Sequence, residues 1–195
     1  MKMSAVCVGK SEPIRAKSGQ SGINKRAQAG PVAIGPLGLA GDTIVDTDHH
    51  GGPDQAALIG SDLDRAWWAQ KLGRPLPPGY FGDNLEIEGL DSAALCIGDR
   101  FEIGTIVLEV TSPRIPCASF AVRAGDLQSL RSYYDSGRPG AYARVLQPGP
   151  VTAGDPVRLI PYAGPRIPLT LALQINLKTT DDFDLLRRIF SWAGT

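Results

Sequence analysis

The sequence is easiest to bound by what it does not contain. No run in its 195 residues approaches the ~18 apolar residues of a membrane-spanning helix. The opening MKMSAVCVGK breaks its apolar stretch after a few residues, so no secretory signal is read there and a cytoplasmic location is expected. Neither sign of charge is in excess, since Lys and Arg number 20 and Asp and Glu number 20. Binding to a nucleic-acid polymer draws on a basic excess to displace counterions, and no such partner is expected. Cysteine is scarce and odd in number (Cys7, Cys96 and Cys117), and no CxxC occurs. A disulfide framework and a zinc knuckle are therefore disfavoured. The G-x-S-x-G elbow, the P-loop and a post-strand G-x-G-x-x-G are all missing, which argues against NTP and dinucleotide chemistry. Paired carboxylates at 62/64 and 181/182 sit where helix capping accounts for them. No repeat of 20–50 residues is present.

What is there fits one soluble-type domain with a real core, since 43% of the residues are hydrophobic. Glycine (23) and proline (16) together make one residue in five, against roughly 12% on average, which predicts short elements joined by tight turns. The clearest element is CIGDRFEIGTIVLEVT at 96–111, where Phe101, Ile103, Ile106, Leu108 and Val110 alternate with polar residues around Gly104. That period of two predicts a hairpin with one buried face. Further strands are predicted at 5–8, 32–34, 43–45, 56–59, 84–87 and 157–160. Ser61, with Asp64 three residues on, predicts a capped helix ending near Gly73; Asp126 predicts a second, ending near Gly137. A third is predicted at 181–192. The run LTLALQINL at 169–177 alternates apolar and polar residues and predicts a strand. The fold class expected is mainly β, a barrel or sandwich with a few short helices.

Three segments carry residues suited to chemistry. HHGGPD at 49–54 holds both histidines of the chain, and its glycine pair lets backbone N–H groups approach an anion. Neighbours on an extended chain point apart, so His49 and His50 do not both enter one site, and the local pattern does not choose between them. In SPRIPC at 112–117 two prolines stiffen the chain around Arg114 and hold Cys117 just past the hairpin. A nearby cation favours the reactive thiolate, which makes Cys117 the functional candidate, whereas Cys7 and Cys96 sit in apolar strands as structural residues. SGINKR adds Lys25, FGDN adds Asn84, and GRPGAYARV adds Arg138 and Arg144.

In their order, SGINK, GLAGDTIVDTDHHGGPDQA, PPGYFGDNLEIEGL, CIGDRFEIGTIVLEVTSPRIPC and GRPGAYARVLQPGPVTAGD resemble the MOSC family, the molybdenum cofactor sulfurase C-terminal domain, and within it the stand-alone bacterial YiiM-like members. The resemblance runs from about residue 5 to 160. It implies a MOSC β-barrel domain over 1–162, followed by a short, partly helical C-terminal segment over 163–195. It favours a helix where the alternation at 169–177 predicts a strand. It implies a pocket for the molybdenum cofactor (molybdopterin), with Cys117 as the molybdenum ligand and with Cys117, His50 and Lys25 as catalytic residues. Lys25, Gly51, Gly52, Asn84, Arg114 and Arg144 are implied as cofactor-binding. The activity implied is reduction of N-hydroxylated compounds such as hydroxylamino-purines, with a small-molecule substrate and an electron-donor protein as partners. Carriage of the cofactor, or sulfur delivery to it without turnover, is the alternative the same residues serve. The chain departs from the family pattern at Asp83 (usually Glu), at Gln55 (often basic) and at Ser112 (often Gln).

Overall fold

The alternating stretch at 96–111 becomes the centre of the molecule. The structure is a computed structural model that describes residues 1–176. In chain order its strands are β1 (Lys2–Gly9), β2 (Glu12–Pro13), β3 (Gln20–Ser21), β4 (Lys25–Ala27), β5 (Val32–Gly35), β6 (Gly38–Leu39) and β7 (Ala57–Ser61). They continue as β8 (Leu85–Glu88), β9 (Arg100–Ile103), β10 (Ile106–Pro113), β11 (Ala141–Gln147), β12 (Gly149–Val151) and β13 (Val157–Ile160). The helices are α1 (Asp62–Lys71), α2 (Ala118–Ala124), α3 (Gln128–Asp135) and α4 (Leu169–Asn176).

β9 and β10 form the expected hairpin, and Phe101, Ile103, Ile106, Leu108 and Val110 are all fully buried on its inner face. Each such side chain contributes about 1.5–3 kcal/mol by leaving water. The hairpin lies within an eight-stranded sheet of order β13-β9-β10-β11-β7-β8-β1-β4. Its pairs are antiparallel except β7 with β8, which α1 links as a crossover. Ser61 caps α1 through the Asp64 N–H at 3.0 Å, and Gly73 follows it with φ 65°. Asp126 accepts from the Ser129 N–H at 2.7 Å at the start of α3.

The barrel expected from the resemblance is corrected to an open sheet. β13 and β4 end the sheet unpaired with one another. At the seam the chain is held by an isolated bridge between Lys2 and Pro156, with Met3 N–H donating to Asp155 O and Val157 N–H to Met1 O, both at 2.9 Å, and no ladder forms beyond it. Two strand expectations are also corrected. Residues 43–45 pair with no strand; they line a cavity as irregular loop. The start of the 169–177 run is the helix α4, in which Leu169 and Leu173, four residues apart, are both buried. In so short a run the two periods are easily confused, and burial on one helical face decides. The segment after 162 is tied to the core: Ile167 and Leu169 are buried in it, and Leu169 N–H donates to Leu95 O at 2.9 Å. The helix expected at 181–192 lies outside the described residues. No helix among the described residues is long and apolar enough to cross a membrane.

A second, aromatic core joins Trp68, Tyr80, Phe81, Phe120 and Tyr133 beneath α2. Phe120 is its centre, with ring centroids 4.5 Å from Phe81 and 5.2 Å from Trp68. The SGINK loop runs close against residues 43–45. A Cβ on Gly22 would lie 1.9 Å from the Thr43 carbonyl oxygen, which is backbone. Gly22→Ala is therefore expected to destabilise the protein by about 2–3 kcal/mol, read as a lower urea midpoint at unchanged slope.

Candidate functional site

The end of β10 is where the sheet opens. The β10–β11 register shifts between Val110 and Ser112, a bulge centred on Thr111. Thr111 Oγ1 is tied to Asp54 O at 2.6 Å and to Tyr142 O at 3.1 Å. A bulge kinks its strand and re-aims the residues beyond it; here Pro113 and Pro116 fix the turn, and Cys117 arrives at the head of α2. The space left is a cavity of about 610 Å³. Cys117, His50, Arg114, Lys25, Asp42, Asn84, Gln55 and Tyr142 supply its polar wall, and Ile23, Ile44, Phe81 and Ile115 its apolar wall.

The three thiols differ sharply. Burial, with Asp83 and Glu86 nearby, pushes Cys7 up to about 12, and burial also raises Cys96. Burial acts on Cys117 in the same direction but is overcome: the His50 hydrogen bond, the Phe120 and Ser119 N–H groups and the charge of Arg114 bring it down to about 6. Those two N–H groups do not meet strict capping geometry, yet as the free donors of the first turn of α2 they favour the anion. At neutral pH Cys117 is a thiolate facing the cavity. Arg114 is itself 6% exposed, with its guanidinium carbon 5.2 Å above the Phe120 ring. Burial disfavours its charge, but Tyr133, Asp83, Tyr142 and Cys117 favour it more strongly.

Lys25 and Asn84 are held by a residue the sequence pattern did not single out. Asp42 Oδ1 accepts from Lys25 Nζ at 2.6 Å and from the Gly9 N–H at 2.7 Å, and Oδ2 accepts from Asn84 Nδ2 at 2.9 Å. Burial pulls Lys25 below its ordinary value, and Asp42 works against that. Asn84 spends the rest of its amide on the sheet, accepting from Leu58 N–H at 3.1 Å and donating to Cys7 O at 3.3 Å. The Lys25 charge is thus already neutralised, and the cation beside Cys117 is Arg114. Asp42→Ala leaves a buried ammonium without its anion and is expected to cost about 3–5 kcal/mol in urea unfolding, with Asp42→Asn intermediate.

The remaining candidates divide. His50 turns to Cys117, whereas His49 is exposed and bonded to Asp46 at 3.0 Å, which raises its pKa. Gly51 lines the cavity with φ 82°, its Cα face pressed on Ile44. Gly52 is exposed and outside the lining. Arg144 is also outside it: Nε lies 3.0 Å from Asp54 and Nη1 3.7 Å from Glu109, so it braces the GGPDQ turn from behind. Arg138 pairs with Asp64 at 3.0 Å. Tyr142 and Asp42 join the site without having stood out in the sequence. The signal for Asp42 was the G-D turn at 41–42, where Gly41 has φ 81°; nothing local distinguished Tyr142.

The site is thus one cavity in a β-rich domain, walled by the Cys117 thiol, His50 and the buried Arg114. The MOSC domain model matches residues 46–158, and the chain belongs to the MOSC domain family, which is associated in general with binding of the molybdenum cofactor. Over 175 residues it is 32% identical to uncharacterized protein YflK of Bacillus subtilis, covering 90% of this chain and 79% of that one. Protein YiiM of Escherichia coli is 29% identical over 180 residues, with 89% and 79% covered. A Gibberella moniliformis protein called Reductase is 31% identical over 73% of this chain, which is 26% of its own length. The crystal structure of YiiM from Geobacillus stearothermophilus superposes with a TM-score of 0.79 at 26% identity, covering 96% of this chain and 89% of that one.

Proposed function

We propose that this MOSC protein binds the molybdenum cofactor through Cys117 and reduces N-hydroxylated compounds, with hydroxylamino-purines as the substrate class. The observation that carries the reading is the Cys117 thiol, brought down to about 6 and turned into a 610 Å³ cavity. Kinship with a protein named Reductase supports the reaction class.

The residues present fit the group. A thiolate is the soft donor that molybdenum takes, and the buried Arg114 suits the anionic parts of a phosphate-bearing pterin. Gln55 Oε1, buried on the same wall, has no partner among the described residues. When bound, the cofactor supplies two-electron redox chemistry at its metal. The protein side of the reaction is proton supply and positioning. Cleaving R–NH–OH to R–NH2 and water consumes two electrons, from an electron-donor protein, and two protons. His50 stands beside Cys117 Sγ, placed to pass a proton to the departing oxygen. Arg114 keeps its charge at every working pH and so fixes the cavity's polarity.

The test is turnover of 6-hydroxylaminopurine by protein loaded with cofactor and supplied with a chemical electron donor. Stoichiometric formation of adenine supports the reading. Absence of turnover, with activation of an apo-molybdoenzyme instead, replaces it with cofactor carriage.

A further inference from the structure

The polar groups of the cavity fall into two sets. Lys25, Asp42 and Asn84 satisfy one another; His49 is held by Asp46 and His50 by Cys117. Gln55 and Tyr142 are different. Gln55 Oε1 is buried and accepts no hydrogen bond from any described residue, and its carboxamide donates none to them. The Tyr142 hydroxyl likewise has no partner among the described residues, although both side chains line the cavity. A buried amide oxygen left unpaired costs the folded state, and native proteins leave few of them without a reason.

The two are mounted on one post. Thr111 Oγ1, at the bulge, bonds the carbonyls of Asp54 and of Tyr142, so the residue before Gln55 and Tyr142 itself share an anchor. The Asp54 side chain is held in turn by Arg144, and Tyr142 pairs in register with Leu58 on β7 and Ser112 on β10. Both groups are therefore fixed in place with their hydrogen-bonding capacity unspent.

We propose that Gln55 and Tyr142 are the specificity-determining pair of this cavity, reading the adjacent donor and acceptor on the edge of a planar nitrogen heterocycle. A carboxamide accepts from an exocyclic N–H while its NH2 donates to the neighbouring ring nitrogen, which no cation or carboxylate does alone. The phenol adds one further hydrogen bond, and Phe81, Ile115 and Ile44 offer apolar surface to the ring faces. The inference rests on the functional reading above in taking the same cavity as the ligand site. That edge occurs both on an aminopurine substrate and on a pterin, so the test carries one arm for each.

The full chain, as purified, is titrated calorimetrically with adenine, 6-dimethylaminopurine and 6-hydroxymethylpterin, alongside Gln55→Met and Tyr142→Phe. At least tenfold weaker binding is expected in Gln55→Met and about threefold in Tyr142→Phe. Gln55→Met is expected to melt no lower than wild type, because an unpaired polar atom is removed from the wall. In the adenine arm, 6-dimethylaminopurine, which lacks the exocyclic donor, is expected to bind wild type at least tenfold more weakly than adenine. An effect confined to the pterin assigns the edge to the cofactor; one confined to adenine assigns it to the substrate. Unchanged affinities in both variants, or no binding of either heterocycle by wild type, overturn the proposal. Loss of binding in Gln55→Met together with absent turnover in loaded wild type removes the reductase reading and leaves this one standing.

Discussion

Cys117→Ser, loaded with cofactor in parallel with wild type, is expected to reduce 6-hydroxylaminopurine more than about 100-fold more slowly. Changes to residues that merely orient a metal ligand cost roughly 10–100-fold, and this substitution removes the ligand itself. Serine matches cysteine in shape but not in chemistry: its hydroxyl is a hard, neutral donor at neutral pH, whereas Cys117 sits at about 6 and is ionised. The fold is expected to survive, because Cys117 is half-buried at the edge of the aromatic core and its anchors, Phe120 and Arg114, are untouched. An unchanged melting temperature beside lost turnover separates loss of chemistry from loss of structure. His50→Ala is expected to slow turnover by about 100-fold while retaining the metal, since it removes the proton source and leaves the ligand in place.

Iodoacetamide is expected to label one cysteine of the folded, metal-free protein, with a rate that is half-maximal near pH 6. The thiolate is the attacking species, so the rate rises with pH as Cys117 ionises and is flat above about pH 7. Cys7, pushed up to about 12 by burial, and Cys96, raised by burial, stay unlabelled until the protein unfolds. His50→Ala removes the hydrogen bond that favours the thiolate, so the midpoint moves upward. Arg114→Met removes a favourable charge and moves it the same way. Peptide mapping after labelling at several pH values measures both the site and the midpoint. A wild-type midpoint near the ordinary thiol value of about 8.5 would show that His50 and Arg114 do not act on Cys117 in solution.

How much of the molecule was legible in its sequence depended on distance along the chain. The hairpin at 96–111 was readable because burial on one face of a strand imposes its own period, and all five apolar positions fell inside. Cys117 and Arg114 were readable because two prolines keep them in one short loop. The local pattern left His49 and His50 open and the resemblance pointed to His50; the course of residues 46–55 turns His50 to Cys117 and leaves His49 on Asp46. Asp42 was opaque for a physical reason: its partners come from residues 9, 25 and 84, so no local pattern records them. Arg144 shows how neighbours on one strand can part. It shares β11 with Tyr142, yet two residues further along the strand it stands over Asp54 and Glu109 instead of the cavity. Barrel closure was expected from kinship, yet β1 meets the residues before β13 at one bridge only, and the edge strands β13 and β4 do not pair.

Whether Cys117 holds a metal is decided by composition. Protein purified from a host that makes the molybdenum cofactor, beside Cys117→Ser purified in the same way, is to be measured for molybdenum by mass spectrometry and for oxidised pterin by fluorescence. Near-stoichiometric molybdenum and pterin are expected in wild type, with loss of molybdenum in the variant. Equal molybdenum in both proteins would contradict a Cys117-bound metal.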